Sequence, residues 1–275
     1  MLLARTTGSR DLLLALPGAH RHQVEGTLIR TERLIRLLGD LGMTQNSSQV
    51  YLTRLAKAGL VSRRSSGRSP GVALTPAAER LLGVIEDRTR EFGQPTAANG
   101  TFTMIWYSLP KSARAARSRL VQELRMQGFG SLQDSTWLAM RDRRTIAQTT
   151  LDELRLAADS SVLVGPQSEI SNVALLLERG WDLRALRQAY EEFLQDYGDY
   201  ATPSSISDRD AFVTRVQMLE EFKAFFSMDP ESDDLDDIGE LRRQATTLFW
   251  AAYNALAPGA EAHFAEVALS PDVTV

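Results

Sequence analysis

No cysteine occurs among the 275 residues, which excludes disulfides, thiolate metal sites and a cysteine nucleophile together. Histidine is nearly as scarce: His20 and His22 lie close together and His263 far away, with no second cluster to complete a metal site. Long apolar runs are missing. No stretch approaches the ~20 consecutive apolar residues that cross a bilayer, and Arg5, Arg10 and Asp11 break up the leucines near the start, where no small-residue cleavage pattern follows. Glycine-rich phosphate loops, nucleophile elbows and zinc-peptidase patterns are also lacking. These absences predict a cytoplasmic protein that is not an enzyme, with no catalytic residue, no metal, no cofactor and no membrane partner.

What is present is the composition of a globular chain, 43% hydrophobic and 24% charged, long enough for two or three domains with cores of their own. The net charge of −4 hides an asymmetry. Residues 1–75 carry 11 Lys and Arg against 4 Asp and Glu, whereas residues 203–275 carry 5 against 14. An acidic average is no argument against a polyanionic partner, because phosphate attraction acts over about a Debye length, roughly 10 Å, and not over the whole molecule.

The positive charge coincides with the most informative segment, residues 44–75. Ser48, Tyr51, Leu52 and Leu55 recur at i, i+3, i+4 and i+7, which predicts a helix with these four inward. Asn46, Gln49, Val50, Thr53 and Lys57 then share the outward side, and its amides suit the N7 and N6 edge of adenine in the major groove. Gly59 stops the helix, Leu60 and Val61 open a strand carrying Arg63 and Arg64, and Ser65, Ser66 and Gly67 form a turn that Arg68 leaves. Three guanidiniums so close together repel one another unless an anion or acid is near. Arg54 and Lys57 flank the helix as further phosphate contacts. A helix from Thr31, with Leu34, Leu37, Leu38 and Leu41 at helical spacing and Gly42 as the turn, precedes this one. With a first helix over 9–16, the pattern is that of a winged helix-turn-helix, whose helix enters a DNA groove while its hairpin grips phosphates.

Thr75, Pro76 and Glu79 mark the start of a helix running to Phe92, and residues 93–100 read as a linker. Beyond it come a strand over 102–110, a helix with Ala113, Ala116, Leu120 and Leu124 inward, a second strand over 131–140, a helix over 150–158 and a last strand over 161–164. That order suggests a small ferredoxin-like unit. A helix follows over 181–197, with Leu183, Leu186, Tyr190 and Phe193 as its apolar stripe, and then a helix pair over 212–226 and 241–256 around an acidic loop. The expected fold is α+β: a winged helix-turn-helix domain over 1–92, a ferredoxin-like central domain with a trailing helix over 101–200, and an acidic α-helical C-terminal domain over 203–275.

In this order the residues resemble the PaaX-type transcriptional repressors, regulators named for phenylacetic acid catabolism. The first domain carries the resemblance in Leu34 and Ile35 through Gly42, in Leu52, Thr53, Arg54 and Leu55, and in Gly59, Arg64, Gly67, Arg68, Leu74 and Thr75. The middle carries it in Tyr107, Pro110, Leu120, Leu124, Gly128, Phe129, Gly130, Trp137 and Trp181, and the tail in Phe222, Asp229, Pro230, Leu248, Phe249, Leu256 and Pro258. The resemblance implies a homodimer on a partly palindromic operator, released by an aryl-acetyl coenzyme A type of effector. Two departures stand out. Val72, after Pro70 and Gly71, replaces the expected aromatic and implies a short or loosely paired wing, and Gln49 stands where the family commonly has Arg.

For such an effector, Arg141, Arg143 and Arg144 are placed after Trp137 to hold phosphates, with Trp137 or Trp181 over the acyl group; the alternative is that both tryptophans are core. Two other classes compete. The ferredoxin-like middle resembles small CRISPR-associated endonucleases, but those need a carboxylate at the end of the first strand to hold a divalent metal, and here Tyr107 is followed by Ser108, Leu109 and Pro110. Asp233, Asp234, Asp236 and Asp237 lack EF-hand spacing and read as a solvated loop. A dimeric scaffold without sequence preference is the remaining alternative.

Overall fold

A computed structural model describes residues 19–66, 69–94, 100–202, 205–232 and 234–269. The expected helix over 9–16 and Arg68 lie outside them. In chain order the elements are α1 (Arg21–Val24), β1 (Ile29–Arg30), α2 (Thr31–Asp40), α3 (Gln45–Lys57), β2 (Val61–Ser66), β3 (Ser69–Leu74) and α4 (Pro76–Glu91). Next come β4 (Thr101–Tyr107), α5 (Arg114–Met126), β5 (Gly130–Gln133), β6 (Thr136–Ala139), α6 (Arg144–Glu153) and β7 (Ser160–Pro166). Helices α7 (Val173–Gly180), α8 (Leu183–Tyr197), α9 (Asp208–Met228), α10 (Asp236–Ala255) and α11 (Ala257–Phe264) complete the order, the last running into a π-turn over Ala265–Leu269. The fold is mixed α+β with two antiparallel sheets. None of the described helices is long and apolar enough to cross a membrane.

By packing, the described chain falls into two units, one within Met1–Thr89, Tyr197–Glu221 and Leu248–Val275, the other within Arg90–Asp196 and Phe222–Thr247. In the first, Leu34, Leu37, Leu38 and Leu41 of the α2 segment are buried with Tyr51, Leu52 and Leu55 of α3 and Val61 and Val72 of the hairpin. Gly42 (φ +87°) ends α2 in the left-handed region that suits glycine. The C-terminal helices of this unit are tied to α2: Asp40 accepts from Arg209 Nε at 2.7 Å and from His263 Nε2 at 2.9 Å, and Arg33 Nη1 donates to the Ala268 carbonyl at 3.3 Å. These two donors outweigh partial burial and hold the Asp40 carboxyl below its ordinary value.

The second unit is built on the four-stranded sheet β5-β6-β4-β7, every neighbouring pair antiparallel. With helices after its first and third strands, this is the split β-α-β arrangement of ferredoxin-like units. The expected strand over 131–140 is a hairpin, β5 and β6, turning at Asp134 and Ser135. The helix expected over 150–158 lies earlier, at Arg144–Glu153, and α7 was not foreseen. One sheet face packs Ile105, Tyr107, Trp137 and Ala139 against Leu120, Leu124, Ala147 and Leu151; the other packs Leu138 and Met140 against Leu177 and Trp181. Alternation along each strand assigns these faces. An aromatic cluster, in which Phe92, Tyr190 and Phe193 meet Phe222 and Phe225, fills the helical part of the unit.

Candidate nucleic-acid interface

Local chemistry fixes both ends of α3. Thr44 caps it, its Oγ1 accepting from Ser47 N at 3.2 Å. Ser48 serves as an inward residue because its hydroxyl donates back to the Thr44 carbonyl at 3.0 Å, leaving no unsatisfied donor in the core. At the other end Gly59 (φ +72°) lets Leu60 N return to the Leu55 carbonyl at 3.0 Å. Thr75 then locks three elements: its Oγ1 donates to the Gly59 carbonyl at 2.7 Å, its N to the Leu60 carbonyl at 3.1 Å, and it caps α4 through Ala78 N at 3.3 Å. The exit of the hairpin is thereby fastened to the end of α3.

The predicted faces of α3 hold. Ser48, Tyr51, Leu52 and Leu55 are buried, while Asn46, Gln49, Val50, Arg54 and Lys57 are exposed and Thr53 is half-buried. The hairpin differs from expectation. Ser65 and Ser66 belong to β2, and six residue pairs run from Val61↔Leu74 to Ser66↔Ser69, so the second wing strand is fully paired. Val72 replaces the aromatic by filling the core at 4% exposure. Gly71 leaves room for Leu28, whose side chain would have to shift to admit a Cβ 2.8 Å from its Cγ. Strand alternation also separates two arginines that were expected to cluster: Arg63 pairs with Val72 and Arg64 with Gly71, on opposite faces of the hairpin.

Arg63 is the one turned to α3. Its Nη2 donates to Thr53 Oγ1 at 2.9 Å, and the Thr53 hydroxyl donates in turn to the Gln49 carbonyl at 2.9 Å. The outward stripe of the helix and the first guanidinium of the hairpin therefore form one surface. The sequence agrees with it: no acidic residue falls between Asp40 and Glu79, so no carboxylate on α3 or the hairpin opposes an approaching phosphate.

The five residues assigned to an effector are not brought together. Trp137 and Trp181 are buried on opposite faces of the central sheet, Trp137 donating to Tyr107 Oη at 3.4 Å. They cannot cover one acyl group. Arg143 is buried, pairing with Glu231 at 3.4 Å and Glu91 at 3.2 Å, and Arg141 pairs with Glu231 at 3.2 Å and donates to the Gln94 carbonyl at 2.7 Å. Only Arg144, the first residue of α6, is exposed. Carboxylates already occupy the sites where phosphate would bind. Beside Trp181 lies an open depression of about 510 Å³ walled by Glu178, Arg179, Asp182 and Arg184, unlike the enclosed apolar pockets that take acyl groups. The acidic loop also differs from a wholly solvated one: Asp229, Glu231 and Ser232 at its start are buried.

Comparison with known proteins places the chain. A model described as the PaaX protein central Cas2-like domain matches residues 95–175, and one described as the PaaX-like protein C-terminal domain matches residues 181–266, together more than half of the sequence. No curated protein matches it. Among solved structures it is similar to the uncharacterized protein Rv0674 from Mycobacterium tuberculosis, with a TM-score of 0.51 and 20% identity over 92% of this chain and 97% of that one, a likeness of fold. The chain belongs to the PaaX family of transcriptional regulators.

Proposed function

We propose that residues 19–94 include a winged helix-turn-helix that binds double-stranded operator DNA in a sequence-specific way, and that the protein acts as a homodimeric repressor without enzymatic activity. The observation that carries this reading is the Arg63–Thr53 bond, which joins the first strand of the hairpin to the outward stripe of α3, both free of acidic residues. Helix α3 is the reading element: Asn46 and Gln49 face base edges, and Arg54 and Lys57 flank them towards the backbone. Arg63 holds a phosphate beside the helix. Arg64, on the other face of the ribbon, meets the opposite wall of the groove. Two such surfaces related by a two-fold axis fit half-sites about one helical turn apart. Release of the DNA by an acyl coenzyme A ester rests on the family resemblance alone, since the residues first assigned to it are engaged elsewhere.

The test is selection of bound duplexes from random DNA by the full chain, followed by salt titration of the recovered fragments. A palindromic consensus is expected, with a salt slope that falls by about one unit for each of Arg63→Ala and Arg64→Ala. Recovery of unrelated sequences, or slopes unchanged in both variants, would remove the wing and the reading helix from the function.

A further inference from the structure

Helix α3 carries one large apolar side chain that the fold does not use. Val50 is 45% exposed, in the middle of an otherwise polar stripe formed with Asn46, Gln49 and Thr53. A β-branched residue on a solvated helix face loses rotamer freedom, and nearly half of this one stays open to solvent. Its neighbours divide into used and unused groups. The Thr53 hydroxyl gives its hydrogen to the Gln49 carbonyl and accepts Arg63, so it has no donor left for a base. The side-chain amides of Asn46 and Gln49 have no hydrogen-bond partner among the described residues. What the surface offers to a groove is therefore two amides with a branched apolar tip beside them.

Each A·T pair presents adenine N7 and N6 on one strand and the thymine 5-methyl group on the other, the methyl being the one apolar feature of the major-groove edge. Resting on the DNA-binding reading above, we propose that Val50 packs against a thymine methyl and makes this regulator selective for a thymine at one position of each half-site. Asn46 or Gln49 reads an adenine beside it. Val50 is then the specificity residue, and Thr53 a positioning residue for Arg63.

The experiment uses the full chain and the duplexes it selects from random DNA, resynthesised with deoxyuridine replacing thymine at one position at a time. Uracil keeps every hydrogen-bonding group and lacks only the methyl. For the unaltered protein, substitution at one position of either half-site is expected to weaken binding roughly three- to tenfold, the worth of about one buried methyl group, while the other positions leave it unchanged. Val50→Ala, which raises helix propensity at an exposed site, should bind the thymine and uracil duplexes equally. If no uracil substitution matters, or if Val50→Ala remains as sensitive as the unaltered protein, the Val50 assignment is overturned. In that event a salt slope still lowered by Arg63→Ala leaves the DNA-binding reading standing. Selection that returns no consensus overturns both.

Discussion

Arg242 grips Asp229 through two parallel hydrogen bonds, Nε to Oδ2 at 2.9 Å and Nη2 to Oδ1 at 2.8 Å, and both residues are buried. Tyr190 adds a third at 2.5 Å, its phenol held protonated well above the ordinary range by burial and by the adjacent carboxylate. Asp229 is one of the residues on which the family resemblance rests, and its role is to close the α9–α10 loop. Removing one partner strands the other charge in a dry site. Asp229→Ala should therefore lose about 3–5 kcal/mol of stability in urea denaturation, and Arg242→Met a similar amount. A loss below about 1 kcal/mol for both would show that the pair is not sealed from water.

Gly130 makes a second family position intelligible. A Cβ at this residue would lie 2.6 Å from Trp181 Cε2 and 2.7 Å from the Gly180 carbonyl oxygen. The backbone of β5 thus lies directly against the indole, and α7 cannot retreat without unpacking Leu177 from that face. Gly130→Ala should cost about 1–3 kcal/mol through overpacking and shift the emission of Trp181, while Gly198→Ala, where a Cβ meets nothing within 4 Å, should leave both almost unchanged.

Stability should also fall with pH in a window set by His20. Gln23 donates its amide to the Glu261 carbonyl at 3.3 Å, which turns Oε1 towards His20 Nδ1 at 3.0 Å. Nδ1 therefore carries the hydrogen, and Nε2 is a buried lone pair without a partner among the described residues, next to Phe264 stacked at 4.6 Å. Burial, with the charge of Arg215, lowers the His20 pKa from 6.5 to about 3. Because the folded value lies below the unfolded one, the unfolded chain alone takes up a proton between these limits. Stability is lost as pH falls from 6.5 towards 3, by up to about 1.4 kcal/mol per unit. Asp40, also depressed, contributes stability that persists above 3.8 and is lost only below it. His20→Phe should flatten the urea midpoint between pH 6.5 and 4.5 relative to the unaltered chain, and an unchanged slope would deny the histidine this role.

Legibility in the sequence followed the range of the interactions. The α2–α3 pair could be read because leucine spacing, Gly42, Thr44 and Gly59 are all local signals, and the buried side of α3 came out residue for residue. The strand split at Asp134 and Ser135 was missed because no glycine or proline marks that turn. The start of α6 was missed because Arg143 precedes it without a side-chain cap. Arg141 and Arg143 read as a wet loop, yet the partners that bury Arg143 lie 52 and 88 residues away, at Glu91 and Glu231, beyond the reach of any spacing rule. The separation of Arg63 from Arg64, by contrast, is legible from strand alternation, which overrides the cluster that their proximity in sequence suggests. Trp137 and Trp181 show the same limit, since a tryptophan buried on one sheet face looks identical in sequence to one on the other.

On the proposed DNA-binding reading, the Thr53–Arg63 bond separates a residue that touches DNA from one that aims another. If Arg63 holds a phosphate, Arg63→Ala should weaken operator binding and lower the salt slope by about one unit, because one fewer counterion is released. Thr53→Val keeps the charge on the guanidinium and removes only its tether. It should therefore weaken binding by about 0.5–1 kcal/mol, the worth of one partly exposed hydrogen bond, without changing the slope. In an Arg63→Ala background Thr53→Val should then have no further effect, since nothing is left for it to position. A double-mutant cycle on a selected duplex measures this coupling directly. Additive losses would mean that Thr53 and Arg63 meet DNA independently, and a slope lowered by Thr53→Val alone would mean that Arg63 leaves the phosphate when untethered and that the tether is essential to the contact.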